Sequence, residues 1–203
     1  MLASAAEPVP SGTTQASEIE VVEEYYPDET IKSRTEMHRN AQGQLEPHGV
    51  ETRYFSDGQM ASERHYKEGR LDGVAREWHP NGQLRIENEY RDGARNGREV
   101  RYTSTGIKVL EANYLDNRRE GTYVDYHSPD QKRYEAQFKR GLLHGTATTW
   151  YRNGLTKSIE NFDGSLRHGP TQKWYENGQL AFEGAYELDR REGPAREWHP
   201  NGR

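Results

Sequence analysis

Aromatic residues recur along this chain at a fixed interval instead of gathering into blocks. One series is Tyr54, Trp78, Tyr102, Tyr126, Trp150, Trp174 and Trp198, evenly spaced, and it holds all four tryptophans. A second series, Tyr66, Tyr90, Tyr114, Phe138, Phe162 and Tyr186, keeps the same period and falls midway between members of the first. Around them apolar and polar positions alternate, as in Val74, Arg76, Trp78 and then Leu84, Ile86, Tyr90. Helical spacing is absent, and a repeat of this length is too short for a helical pair with its loops. The pattern predicts two strands and two turns per repeat.

Glycine marks the same period at Gly49, Gly73, Gly97, Gly121, Gly145, Gly169 and Gly193. These leading glycines are expected to let successive turns and rings approach closely. A second glycine stands nine residues later at Gly58, Gly82, Gly106, Gly154, Gly178 and Gly202, with Asp130 as the exception. In His79-Pro80-Asn81-Gly82-Gln83, Pro presets φ, Asn suits the next position and Gly accepts φ > 0. That predicts a three-residue hairpin loop, a type I turn closed by a glycine bulge. Such a loop pairs Trp78 with Leu84, and a regular ladder would then pair Arg76 with Ile86. Both strands would share one apolar face, with Glu77, Arg85, Glu87 and Glu89 on a charged reverse.

A degenerate unit precedes these, with Tyr25-Tyr26-Pro27-Asp28 aligned on Trp78-His79-Pro80-Asn81, Ile31 on Leu84 and Met37 on Tyr90. Its link to Gly49 is five residues longer than later ones, and Asn201-Gly202-Arg203 falls inside an eighth unit. The expected organisation is a flexible tether over residues 1–20 and a repeat domain over 21–203, with seven hairpins and one further strand. The expected fold class is all-β: an elongated, twisted, single-layer antiparallel meander of 24-residue hairpins. Each hairpin alone is marginal, and the array is stabilised as a nearest-neighbour sum.

Composition supports a thin sheet. Leu, Ile, Val and Phe together supply 29 of 203 residues, and mean hydropathy is −1.21. That is too little for a thick aliphatic interior, yet 21 aromatics are too many for a disordered chain. A compact α/β enzyme and a transmembrane helix are disfavoured. A net charge of −5 and a pI near 5.9 give no electrostatic reason to bind nucleic acid. No basic block marks an anionic membrane surface. Without cysteine there are no disulfides and no thiolate metal sites. The segment Met1–Ser17 is small, polar and Pro-containing. It fits a cytoplasmic start, or the stub left when a secretion or lipoprotein signal is removed, so cytoplasm and periplasm or cell envelope both stay open.

The unit G-x-x-x-x-[WY]-x-x-N-G-x-L-x-x-E-x-x-Y-x-x-G, best seen at Gly73–Gly97 and Gly169–Gly193, resembles the MORN repeat variant family. The resemblance runs from about Tyr25 to Arg203. It implies an elongated strip of hairpins. Many bacterial proteins of this type resemble the YwqK-family antitoxins, which implies neutralisation of a cognate toxin or effector by direct binding. A structural scaffold, or a phospholipid-associated protein at a membrane surface, is the alternative that the eukaryotic-type repeats imply. The NGQL turns and the acidic balance depart from that second pattern.

No nucleophile has a base at interpretable spacing, and a periodic chain lacks the asymmetric constellation that chemistry needs. No enzyme, cofactor or metal is expected. His79, His127 and His199 share a register but are too far apart for one metal site. The aromatic series reads as core, and Glu63, Glu87, Glu111, Glu135 and Glu183 read as partners for Arg or Lys across strands. Departures from the repeat are the better contact candidates: the Asn40–His48 insertion, Ser128-Pro129-Asp130, the Phe162–His168 connection, and Leu142-Leu143-His144, which would place two leucines in an exposed turn. Leu142, Leu143, Arg119 and Tyr151 are the expected anchors for a protein partner.

Overall fold

A computed structural model describes residues 18–201. The tether expected over residues 1–20 therefore lies outside the described residues up to Ser17, and Glu20 already opens the first strand. The strands are β1 (Glu20–Tyr25), β2 (Ile31–Arg39), β3 (Leu45–Tyr54), β4 (Met60–Lys67), β5 (Arg70–Trp78) and β6 (Leu84–Arg91). Next come β7 (Ala94–Tyr102), β8 (Lys108–Leu115), β9 (Arg118–Ser128), β10 (Gln131–Lys139) and β11 (Leu142–Trp150). Last are β12 (Thr156–Asp163), β13 (Leu166–Arg167), β14 (Gly169–Trp174), β15 (Leu180–Glu187) and β16 (Arg190–Glu197). They form one open antiparallel sheet in chain order, with the short β13 pairing β12 beside β14. The molecule is the all-β meander that the period predicts.

Two rows of turns border the sheet. On one side lie the three-residue loops. Gly82 N–H donates to His79 O at 2.9 Å, His79 N–H donates to Gln83 O at 2.8 Å, and Gly82 has φ +80°. The same pair of bonds closes the loops after Phe55, Thr103, Tyr151 and Tyr175. On the other side are two-residue turns with both central residues at positive φ, such as Asp92-Gly93 (48° and 82°) and Asp116-Asn117 (49° and 65°). These are type I′ turns, whose twist matches that of the flanking strands. Arg140-Gly141 is one of them, so Leu142 and Leu143 stand in β11 and not in a turn. The long link at Asn40–His48 replaces a two-residue turn by a lengthened hairpin, with Arg39 opposite Leu45 and a loop closed by Gly43. The Phe162–His168 link keeps its turn at Gly164-Ser165, and His168 separates β13 from β14.

The register departs from a regular ladder within each hairpin. Trp78 does face Leu84, but Glu77 faces Ile86 and Arg76 faces Glu87, because Arg85 is an extra residue in a β-bulge. The slip repeats in later hairpins, at Tyr102 opposite Lys108 and Trp150 opposite Thr156. One extra residue reverses the facing of everything beyond it. The single apolar stripe with a charged reverse is thereby overturned. The face holding Trp78, Val74 and Leu84 also holds Glu87 and Glu89, while Ile86 and Tyr90 lie opposite with Ala75 and Glu77.

Both faces are therefore partly apolar and partly charged. On the tryptophan face Val100 and Val124 are buried; on the opposite face Ala75, Ala112, Tyr114, Ala136, Ala147 and Phe182 are. A second irregularity sits at the leading glycines. Asn88 pairs with Glu99 but Tyr90 pairs with Arg95, so the chain bends at Gly97, where φ is +125°.

Candidate functional site

Among the described residues no second layer covers the sheet, so the candidate site is surface, and it is built from residues that recur at each step of the repeat. On the tryptophan face, none of the seven rings from Tyr54 to Trp198 is buried; all are half-buried. The aromatic series is thus a half-exposed row and not the interior of the core. Lysines lean on it: Lys108 Nζ lies 4.7 Å from the Tyr126 ring centre and Lys132 Nζ 6.0 Å from that of Trp150.

The glutamate register runs along the same face and is paired with basic side chains, across strands at Glu87 and Glu111 and also along its own strand at Glu111 and Glu135. Arg76 Nε donates to Glu87 at 2.7 Å, Arg98 Nε to Glu111 at 2.8 Å and Lys108 Nζ to Glu111 at 3.1 Å. The hydrogen bond from Arg98 holds the Glu111 carboxyl below its ordinary pKa, with Lys108 acting the same way. The folded carboxyl therefore binds its proton more weakly than the unfolded one. Its contribution to stability is complete above the unfolded pKa and is lost as pH falls through the lower, folded value. In an acid titration of unfolding, Glu111→Gln is expected to flatten the loss of stability below the ordinary carboxylate range. An unchanged acid limb would show that this pair contributes nothing.

The opposite face carries a denser core. Two positions past five of the leading glycines stand Glu51, Ala75, Glu99, Ala147 and Thr171, all buried. Glu99 is 1% exposed and is held by Arg101 Nε at 2.7 Å and Arg95 Nη1 at 3.3 Å. The second aromatic series packs here. Tyr123 meets Tyr134 and Phe138 edge-on at 6.1 and 5.9 Å. Burial raises the pKa of the Tyr66, Tyr123 and Tyr134 hydroxyls. Arginines two positions before the leading glycines cover the rings: Arg95 over Tyr114 at 4.1 Å and Arg167 over Tyr186 at 4.0 Å. The arginine row was readable as a recurrence in one register at Arg95, Arg119, Arg167 and Arg191, and reading the sequence by its aromatic and glycine series missed it.

Both turn rows are stitched laterally. Gly93 N–H donates to Leu71 O at 2.8 Å and Gly141 N–H to Arg119 O at 2.8 Å, joining each two-residue turn to the strand start one unit back. On the other edge, the histidine register donates Nε2–H from His79 to Tyr102 O and from His127 to Trp150 O, each at 3.1 Å. Tyr151 and Tyr175 fill the same place, their hydroxyls donating to Trp174 O and Trp198 O at 2.8 Å. These histidines are ties between turns. Among the described residues no group of three His, Asp or Glu is placed to hold a metal.

The four expected anchors separate. Leu142 is 50% exposed at the start of β11, facing Lys139. Leu143 faces Phe138, and the Arg119 guanidinium lies 5.3 Å from that same ring, so Arg119 and Leu143 meet around Phe138. Tyr151 sits at the far edge, beyond the other end of β11, about 30 Å away by strand rise. One contact patch can combine Leu143 and Arg119, while Leu142 lies on the other face and Tyr151 belongs to a different patch.

The MORN repeat variant family model matches residues 47–68, 71–92 and 167–187. Those three stretches are thus similar to MORN-variant repeats. Residues 97–163 lie outside the matches, yet keep the same hairpins, bulges and turn rows. No curated protein matches the chain.

Proposed function

We propose that this chain is a non-enzymatic protein-binding module, and within that class an antitoxin or immunity protein that neutralises a cognate toxin by occluding it with one long face of the strip. The observation carrying the reading is the open single layer whose seven aromatic rings all remain half-exposed in one row. Repeat sheets of this kind offer extended surface. A stable complex needs about 1,200–2,000 Å² of buried area and a few aromatic, arginine or apolar anchors. Arg119 and Leu143 supply such anchors around Phe138, on the face opposite the tryptophan row, and Leu142 lies next to them on the other face.

The test is growth of cells expressing the product of the adjacent gene, with and without this chain. Toxicity relieved by co-expression, and weakened relief with Leu142→Asp or Arg119→Glu, is the expected result. A harmless neighbour, or a toxic one that this chain neither binds nor relieves, removes the antitoxin reading.

A second reading is a scaffold at a membrane surface. It draws on the exposed Leu115, Leu142 and Leu166 along the two-residue-turn edge, interspersed with exposed Arg118, Lys139 and Arg140. Flotation with vesicles containing anionic phospholipid separates the two, since the antitoxin reading expects the protein to stay unbound.

A further inference from the structure

In one unit the ion pair between the bulge residue and the fourth position past the leading glycine is incomplete. The bulge residue is Arg85, Arg133 or Lys157 in three of the hairpins, at the same count past the glycine. Arg85 is bonded to Glu77, four past its own glycine, and Arg133 grips Asp125, also four past, with Nε at 2.6 Å and Nη2 on the second oxygen. In the next unit the fourth position is Thr149. Lys157 therefore has no carboxylate within ion-pair distance among the described residues; it rests 5.6 Å from the Tyr151 ring centre. Arg152, exposed in the adjoining three-residue loop, has none either.

The same place holds a turn unlike its neighbours. Ser128 pairs directly with Gln131, so Pro129-Asp130 is a two-residue turn where the other units have three. Gln131 donates to Arg152 O across to the next loop. Between these elements is an open groove of about 360 Å³, lined by Lys157, Arg152, Arg133 and His127, with the half-buried Tyr151 ring beside Lys157 as its apolar wall. Thr149 lies in it, and among the described residues Glu176 is its one acidic wall residue.

We propose that this groove is an anion-recognition site that takes a glutamate or aspartate side chain of a protein partner, its carboxylate between Lys157 and Arg152 and its neighbouring apolar group on the Tyr151 ring. Two cations without a carboxylate supply charge, and the guanidinium supplies a fork that matches carboxylate geometry. Thr149 supplies a hydroxyl donor where an acid would have cancelled the charge. This deepens the protein-binding reading by naming the partner's chemistry, and it rests on that reading.

The experiment is a fluorescence-polarisation titration of the full chain with a labelled, end-capped Glu-Trp-Glu peptide against its Gln-Trp-Gln counterpart. The acidic peptide is expected to bind more tightly and to weaken as salt rises. Thr149→Asp, which rebuilds the pair seen at Asp125–Arg133, is expected to weaken binding about tenfold without lowering the thermal midpoint. Lys157→Met and Arg152→Gln should weaken it similarly, which keeps the result readable if one variant misfolds. Equal binding of the two peptides, no binding to the wild type, or full binding by folded Thr149→Asp overturns the assignment. Relief of toxicity that survives Thr149→Asp would retire the groove and leave the antitoxin reading standing. Tight, Thr149→Asp-sensitive peptide binding without any relief would do the reverse.

Discussion

Gly97→Ala is expected to destabilise the centre of the array by about 3 kcal/mol, near the upper end for a backbone forced out of its allowed region. Two causes add. The φ of +125° is open to glycine and strained for any residue with a Cβ, and a Cβ built there would stand 2.8 Å from Glu89 Cβ. The near wall is a neighbouring strand's side-chain root, which cannot swing aside. Gly121→Ala is the internal control: φ is +72° and a Cβ would meet nothing within 4 Å. That variant should lose only about 1–2 kcal/mol. Hydrogen exchange fits a nearest-neighbour array better than a single unfolding midpoint, and protection should fall first in β6 and β7. Equal losses at the two glycines would show that close approach of strands is not what Gly97 serves.

Tyr114→Ala should lose about 3–5 kcal/mol, the range for deleting a buried aromatic ring. The ring is 8% exposed and lies beneath the Arg95 guanidinium, which also reaches Glu99. Removing it takes away the surface on which Arg95 rests and opens a route for water to the buried Glu99 carboxylate. Tyr114→Phe keeps the ring and its cation, so it should stay within about 0.5 kcal/mol of wild type. Urea unfolding followed by tryptophan fluorescence reads both variants. A large loss with phenylalanine would shift the weight from the ring to the hydroxyl.

The hairpin period and the three-residue loop were legible because specific residues force them. Pro80-Asn81-Gly82 dictates its own dihedrals, and a strict recurrence of glycine and aromatic residues leaves little room for another architecture. The bulge opposite Trp78 was not legible, since Arg85, Arg133 and Lys157 have no chemistry that demands an extra residue. The core of the opposite face was hidden for a related reason. Glu51, Ala75, Glu99, Ala147 and Thr171 share one buried register but no hydrophobic pattern. Asp92-Gly93 and Asp116-Asn117 did carry a type I′ signature that the leading-glycine reading passed over, and it would have returned Leu142 to a strand. Of the candidate contacts, Arg119 and Leu143 came together through Phe138. Tyr151 was drawn to the far edge because its hydroxyl is needed by the next loop.

The lateral ties along both borders have a geometric consequence. Gly93 to Leu71 and Gly141 to Arg119 on one border join step to step by equivalent bonds, and His79 to Tyr102 and Tyr151 to Trp174 on the other add ties at most of the steps. Separation and angular phase between any two surface groups then change together, in whole steps. Gain or loss of one repeat block would carry everything beyond it through a set displacement and rotation, like teeth on a ratchet. Groups that must meet the same rigid object are held to that gearing, whereas a substitution inside a block alters chemistry and leaves the phase alone.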